Sequence, residues 1–256
     1  MNNGPEAMVF DLDGVITFTA RVHAAAWKQL FDDFLTHRSA RVREPFREFT
    51  EGDYLNYVDG KPRYDGVASF LASRGISPPY GSPSDPATAQ TVCGLGNRKD
   101  NLFNQRVQED GVDVDREAVR FVHELRGKGV RIGLASSSRN AVPIVERAGI
   151  RDLFSEIVDG IVSERLHLGG KPEPDIFLQC LSQLTRNPDP RKAGIAEDAI
   201  SGVMAGQRGH FALVLGVDRN GRGALSKNGA NWVINDFRQI HADQVIAFFD
   251  EAARAA

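Results

Sequence analysis

An apolar run that ends in two closely spaced carboxylates, MVFDLDGVIT at residues 8–17, constrains this chain more than any other segment. The run is typical of a buried strand, and the tight turn after it directs Asp11 and Asp13 to one place beyond the edge of a sheet. There Asp11 can attack phosphorus while Asp13 transfers a proton. A strand followed by an ordinary Asp-Gly turn is the simpler interpretation, so the other strand ends decide between the two.

Regular alternation of strand and helix patterns after residue 110 predicts a parallel sheet covered by helices on both faces. Strands are predicted at 130–135, 157–158, 193–196, 211–216 and 232–234, and a helix at 115–126. The C-terminal helix presents one apolar stripe formed by Val245, Phe248, Phe249 and Ala252. We therefore expect an α/β fold whose core is a doubly wound, Rossmann-like parallel sheet.

The segment between the first strand and this alternating region predicts an inserted helical domain. From residue 19 onward apolar residues recur every three or four positions, and no buried-strand pattern follows before residue 110. Four prolines within residues 78–86 predict a surface loop between helices. We predict a core domain formed by residues 1–20 and 111–256, and a mainly helical cap formed by residues 21–110.

The composition excludes several classes of partner. Over 256 residues the net charge is −3, so no basic field attracts nucleic acid or an anionic membrane, and phosphate binding has to come from local groups. Cys93 and Cys180 lack metal-type spacing and are expected to be free thiols in a reducing cytoplasm. No export signal or membrane-spanning run is visible. We expect a cytoplasmic monomer without nucleic-acid or membrane partners.

Two further segments supply groups that can bind a phosphoryl group. RIGLASSSRN ends a predicted strand in a run of serines, where Ser136 can offer a hydroxyl and a backbone N–H to a phosphoryl oxygen. Such a cluster is also a common helix cap, and both roles are compatible because helix N-termini bind anions. GGKPEPDIF holds Lys171 beside a proline, which fixes the approach of its ammonium group, although an isolated lysine is more often a solvated surface residue.

A fourth segment, GIAEDAISG, places Glu197 and Asp198 after a short apolar strand. Acidic residues at a helix start are common because they interact favourably with the helix dipole. Two adjacent carboxylates after a buried strand also form a magnesium site when they meet Asp11 at the same sheet edge. Because parallel strands share the edge at which they end, the four segments predict a single site there.

This set of segments resembles the four motifs of the haloacid dehalogenase superfamily of phosphotransferases. The motif positions, in order, are occupied by Asp11, Asp13, Ser136, Lys171 and Asp198. The resemblance implies an aspartyl phosphate formed on Asp11, with Asp13 as the acid and base for the sugar oxygen. It also implies that Ser136 and Lys171 hold the phosphoryl oxygens.

The metal expected from this resemblance is Mg²⁺. Its ligands would be the carboxylates of Asp11 and Asp198 and the backbone carbonyl of Asp13, with Glu197 in support. The ion would offset the repulsion between the attacking carboxylate and the phosphate.

The inserted segment is similar to the cap of the beta-phosphoglucomutase-like subfamily. VITFTARVHAAAW places Thr19 and His23 at the cap-hinge threonine and histidine of that subfamily. GKPR places Arg63 at a cap arginine for a remote phosphate, and Lys99 in GNRKDNLF resembles a cap lysine that reaches the sugar. The core side of the same remote-phosphate pocket is matched by Ser138, Arg139 and Asn140. Phe18 replaces the aspartate usual in this segment, and the proline-rich loop is extra.

These resemblances imply a magnesium-dependent phosphotransferase acting on sugar phosphates. We favour a mutase that interconverts beta-glucose 1-phosphate and glucose 6-phosphate with a sugar bisphosphate as activator, because Arg63 and Arg139 suit a substrate phosphorylated at both ends. A sugar-phosphate phosphatase, for mono- or disaccharide phosphates, is the alternative if water is the acceptor. A receiver-like phosphate sensor has no use for Asp13 and a large cap, and a dehalogenase has no use for a leaving-group acid.

Overall fold

The computed structural model describes residues 4–42 and 45–255. Its internal contacts divide the chain into two compact units, which we call the sheet unit, Met1–Phe18 with Asp113–Ala256, and the inserted unit, Thr19–Val112. The domain limits expected from the sequence stay a prediction. Within the described residues, no helix is both long enough and apolar enough to cross a membrane.

Among the described residues, the sheet unit is built on six parallel strands. They are β1 Ala7–Phe10, β2 Arg131–Ala135, β3 Glu156–Val158, β4 Ala193–Glu197, β5 Leu213–Val217 and β6 Trp232–Ile234. Their order across the sheet is β3-β2-β1-β4-β5-β6, and every neighbouring pair is parallel. The order reverses beside β1, and in such sheets ligands bind beyond the carboxyl ends of the strands at this point. The predicted fold class is confirmed.

Helices and short helical turns form the rest of the regular structure in the described residues. In chain order they are α1 Ala20–Val42, α2 Glu51–Asp53, α3 Arg63–Ser73, α4 Val92–Asp110, α5 Arg116–Gly127, α6 Ala141–Arg147, α7 Gly160–Arg165, α8 Asp175–Leu184, α9 Ile200–Arg208, α10 Ala224–Lys227 and α11 Ala242–Ala255. A π-helical turn at Tyr54–Val58 and 3₁₀ turns at Arg151–Leu153, Pro190–Lys192 and Phe237–Gln239 complete the set. The first four helices belong to the inserted unit and the others to the sheet unit.

The two faces of the sheet are covered by different helices because side chains alternate along β1. Phe10 meets Phe121 of α5 edge to face, with ring centroids 6.1 Å apart. Val9 belongs instead to the buried cluster that contains Phe177 and Cys180 of α8. All four residues of β1 are buried, as expected for a central strand with helices on both sides.

The inserted unit is a helical bundle with an aromatic core. Phe31 of α1 lies 4.2 Å from the ring of Phe70 of α3 and 5.0 Å from that of Phe49. The prediction of a mainly helical cap is confirmed. The proline-rich segment between α3 and α4 is an exposed loop, but hydrogen bonds attach it to α4, for example from Asn97 Nδ2 to the carbonyl of Asp85 at 2.8 Å.

Candidate active site

The first site element is the turn that follows β1. Asp11 extends the strand pairing, since its N–H donates to the carbonyl of Ala196 on β4 at 2.9 Å, and its side chain is buried. Asp13 is half-buried in the turn. The chain then reverses at Gly14, which has φ +86° and donates to the carbonyl of Thr17 at 2.7 Å. This turn places both predicted catalytic aspartates just beyond the carboxyl end of the sheet.

Gly14 also makes room for a predicted metal ligand. A Cβ built on residue 14 would overlap the Oδ2 and Cγ atoms of Asp198 and would lie 3.0 Å from its Oδ1. The half-buried Asp198 carboxylate therefore packs directly on the backbone of the β1 turn. Glycine is required here both for the positive φ and for this close approach.

A fully buried lysine connects two carboxylates of the site. Lys171 Nζ donates to Asp11 Oδ1 at 2.6 Å and to Glu197 Oε1, and the Lys171 side chain is only 1% exposed. A buried ammonium is tolerated when it is paired and hydrogen bonded. Although burial alone would lower the pKa of Lys171, Asp11 and Glu197 raise it above its ordinary value. The lysine is therefore charged beside Asp11.

Burial dominates the titration of Asp11 itself. It raises the pKa of Asp11 well above the ordinary value, Lys171 opposes this shift, and the negative charges of Glu197 and Asp13 add to it. The cluster thus holds more negative charge than the single lysine offsets. A further cation at this place would stabilise the charged form of Asp11.

The donors present fit a hard divalent cation. Ligand oxygens of Asp11, Glu197 and Asp198 all lie within 4.8 Å of one another, and carboxylate oxygens are the ligands that Mg²⁺ prefers. Both carboxylate oxygens of Glu197 already accept hydrogen bonds, Oε1 from Lys171 and Oε2 from the N–H of Ala199 at 2.8 Å.

The serine segment closes the turn after β2. The N–H of Ser136 donates to the carbonyl of Val158 at 3.0 Å, and its buried hydroxyl oxygen accepts from the N–H of Ser138 at 3.1 Å. Ser138 in turn accepts from the N–H of Asn140 at 3.2 Å, just before α6. The serines therefore shape this turn. The backbone N–H of Ser136, which was expected from the sequence to bind a phosphoryl oxygen, is instead used in the pairing with β3, so the hydroxyl group of Ser136 is the part that can take this role.

Arg139 has a carboxylate partner within the sheet unit. Its guanidinium donates to Glu164 of α7, and both side chains are exposed to solvent, at 36% and 48%. An anion that binds Arg139 has to share or replace this partner.

The predicted residues of the inserted unit form two groups. Lys99 is buried, and its Nζ lies 2.5 Å from His23 Nδ1. The His23 ring stacks on that of Phe103, with ring centroids 3.9 Å apart. The backbone N–H of His23 donates to the backbone carbonyl of Thr19, which is buried.

The second group contains Arg63, which stands at the start of α3. Its Nη1 lies 2.8 Å from Asp100 Oδ2, and both side chains are largely buried, at 15% and 24% exposure. Arg63 also lies over the ring of Tyr64 at 5.4 Å. Like Arg139, this arginine is paired with a carboxylate of its own unit.

Sequence reasoning missed Arg219, which follows β5. Its Nε donates to the carbonyl of Gly14 at 2.8 Å, and its Nη2 donates to the carbonyl of Val15 at 3.0 Å and to Asp115 Oδ2 at 2.7 Å. The guanidinium also lies 4.6 Å from the ring centre of Phe18. The signal was present, because Arg219 follows a further predicted strand end at the same edge of the sheet.

Comparison with known proteins places this geometry among related chains. Residues 5–210 match the model of the haloacid dehalogenase-like hydrolase family. The chain is 42% identical over 239 residues to a beta-phosphoglucomutase of Mycobacterium bovis, covering 91% of this chain and 90% of that protein. It is 26% identical over 215 residues to a phosphorylated carbohydrates phosphatase of Thermotoga maritima, covering 83% and 85%.

A solved structure shows the same fold. The crystal structure of a beta-phosphoglucomutase from Clostridium difficile superposes with a TM-score of 0.75, covering 97% of this chain and 99% of that one. The two sequences are 24% identical. The match covers the sequence of both units, and at this identity it shows a shared fold.

Proposed function

The chain belongs to the haloacid dehalogenase-like hydrolase family, and on that premise we propose that it is a magnesium-dependent beta-phosphoglucomutase that works through an aspartyl phosphate. With its relatives, it is an enzyme of sugar-phosphate chemistry, a phosphotransferase or a phosphatase. The observation that carries the proposal is the buried Lys171, which bridges Asp11 and Glu197 at the carboxyl ends of the central strands.

Asp11 is the nucleophile in this proposal. One of its carboxylate oxygens attacks phosphorus in line, the bond from phosphorus to the sugar oxygen breaks, and Asp13 gives its proton to that oxygen. Lys171 and the hydroxyl of Ser136 hold the phosphoryl oxygens, where charge accumulates during transfer. When bound, Mg²⁺ would be held by Asp11, Asp198 and the backbone carbonyl of Asp13, and would supply charge neutralisation between carboxylate and phosphate.

The second half-reaction distinguishes the two candidate activities. In a mutase, Asp13 removes a proton from the other hydroxyl of the sugar, and that oxygen takes the phosphoryl group from Asp11. In a phosphatase, water takes it. The Mycobacterium bovis relative supports the mutase through identity and coverage, whereas the Thermotoga maritima relative supports a phosphatase of phosphorylated carbohydrates.

The remote-phosphate residues add support for the mutase. Arg63 and Arg139 are each held by a carboxylate, Asp100 and Glu164 respectively. A guanidinium paired in this way is already oriented, and a phosphate can replace or share the carboxylate through charge-assisted, bidentate hydrogen bonds. A substrate with a second phosphate gains from such arginines, while hydrolysis of a small monophosphate does not need them.

The test is to measure isomer interconversion and phosphate release on the same enzyme. Purified protein with Mg²⁺ is supplied with beta-glucose 1-phosphate and a catalytic amount of glucose 1,6-bisphosphate, and both glucose 6-phosphate and inorganic phosphate are followed. We expect interconversion to exceed phosphate release. Phosphate release faster than interconversion of every isomer pair on a panel of sugar phosphates would assign a phosphatase instead.

A further inference from the structure

Arg219 binds the backbone of the turn that carries the predicted catalytic aspartates. It donates to two consecutive carbonyls, those of Gly14 and Val15, at 2.8 and 3.0 Å. A guanidinium fork can hold two carbonyls and a carboxylate in one plane, which a lysine cannot do. None of these contacts takes part in the phosphoryl transfer proposed above.

Arg219 is one of three groups that contact Gly14, together with the carbonyl of Thr17 and the carboxylate of Asp198. The N–H of Gly14 donates to the carbonyl of Thr17 at 2.7 Å, and its carbonyl accepts from Arg219. On its remaining side, the Cα of Gly14 faces the Asp198 carboxylate closely enough that a Cβ would overlap it. The peptide before Gly14 carries the Asp13 carbonyl, which is a proposed metal ligand. Arg219 therefore binds the turn that contacts one proposed ligand, Asp198, and contains another, the carbonyl of Asp13.

Two further contacts hold Arg219 in place. The Asp115 carboxylate accepts from its Nη2 at 2.7 Å while also capping α5 by accepting from the N–H of Glu117 at 2.8 Å. The Arg219 guanidinium also lies over the ring of Phe18, an arrangement that stabilises a cation over an aromatic face. These partners lie on the segments by which the chain leaves and re-enters the sheet unit.

We propose that Arg219 is a positioning residue that holds the turn at Gly14 and Val15 against Asp198 and thereby sets the affinity of the acidic cluster for its divalent cation. The proposal rests on the proposed function only in assuming a cation at this cluster. It assigns Arg219 no contact with substrate. Residues that orient metal ligands from outside typically change metal affinity by about 10- to 100-fold when they are replaced.

The experiment measures two properties of each variant in the absence of substrate. They are the affinity for Mg²⁺, by calorimetry, and the melting temperature. We expect Arg219→Gln to weaken Mg²⁺ binding by about 10-fold or more. Arg219→Lys should restore only part of the affinity, because one ammonium replaces a fork. The conservative variant also carries the test if the glutamine variant does not fold.

Two variants control for stability and charge. Asp115→Asn removes the ion pair but keeps a side chain that can cap α5 and an amide oxygen that can still accept from Arg219, so Mg²⁺ affinity should fall less than in Arg219→Gln even if the melting temperature falls. Arg238→Gln removes an arginine that pairs with Asp236 on the surface, and it should match the wild type in both measurements.

The outcomes separate a positioning role from a structural one. If both Arg219 variants bind Mg²⁺ like the wild type while only their melting temperatures fall, Arg219 is structural and the proposal is overturned. If Arg238→Gln weakens Mg²⁺ binding as much as Arg219→Gln, the loss of one positive charge and not the turn is responsible, which also overturns it. A wild-type protein that interconverts no sugar phosphate yet shows this pattern would contradict the mutase and leave the positioning role intact.

Discussion

Replacing Gly14 by alanine should remove activity while leaving the protein folded. The residue has φ +86°, a conformation that costs an L-residue roughly 1 to 2 kcal/mol. The added methyl group also overlaps Asp198, so this carboxylate has to move. A misplacement on the order of 1 Å at a reacting centre costs about 100-fold in rate. We therefore expect kcat/KM to fall by about 100-fold or more, with weaker Mg²⁺ binding.

Gly129→Ala is the matched control for this prediction. Gly129 follows α5 in the same unit, its φ is +85°, and a Cβ there meets nothing within 4 Å. Its backbone strain is the same, without the contact to the site. At about 2 to 4 °C per kcal/mol for a chain of this size, both variants should lose several degrees of melting temperature.

Only the variant at Gly14 should lose activity. The assays are differential scanning fluorimetry and steady-state kinetics on both variants. A Gly14→Ala enzyme whose kcat/KM stays within about threefold of Gly129→Ala would refute the reasoning that Asp198 is positioned by the β1 turn.

Three further predictions concern metal, substrate and pH. Excess chelator should abolish activity without changing the circular dichroism spectrum, and added Mg²⁺ should restore it. Arg63→Ala and Arg139→Ala should each cost roughly 2 to 4 kcal/mol of transition-state stabilisation in the bisphosphate-dependent reaction, measured as kcat/KM, and leave acetyl phosphate hydrolysis unchanged. Burial alone would raise the pKa of Asp53, but hydrogen bonds from Thr50 and the Arg74 ion pair lower it below 3.8. The charged carboxylate of Asp53 therefore stabilises the fold above its unfolded pKa, and this stabilisation is lost as the pH falls through its folded pKa. Below about pH 4, the melting temperature of Asp53→Asn should therefore fall less with pH than that of the wild type.

The strand ends could be predicted because their signal is local. A short apolar run followed by an acid identifies β1 and β4, and parallel pairing then brings Asp11 and Glu197 to one edge. Boundaries were less accurate where burial and strand formation diverge. Phe211 was expected to begin a strand that starts at Leu213; it is buried because its ring packs on Phe177 at 6.2 Å.

The partners of the site residues could not be predicted, because they come from distant parts of the chain. Lys171 meets Asp11 across 160 residues, and Arg219 meets Gly14 across 205 residues. Nor does the sequence pattern indicate that Arg63 is paired with Asp100, since exposed and buried charges look alike in a sequence. Phe18, which stands where an aspartate is usual, packs its ring against the Arg219 guanidinium.

The most direct test of the central claim is the fate of the phosphoryl group on Asp11. The enzyme is mixed with ³²P-labelled glucose 1,6-bisphosphate, quenched in acid and mapped by peptide mass spectrometry, with and without a chase of beta-glucose 1-phosphate. We predict label on the peptide that contains Asp11, its transfer to sugar phosphate during the chase, and no label in Asp11→Asn. Label that never appears on this peptide, or that leaves only as inorganic phosphate during the chase, would contradict the proposed mutase.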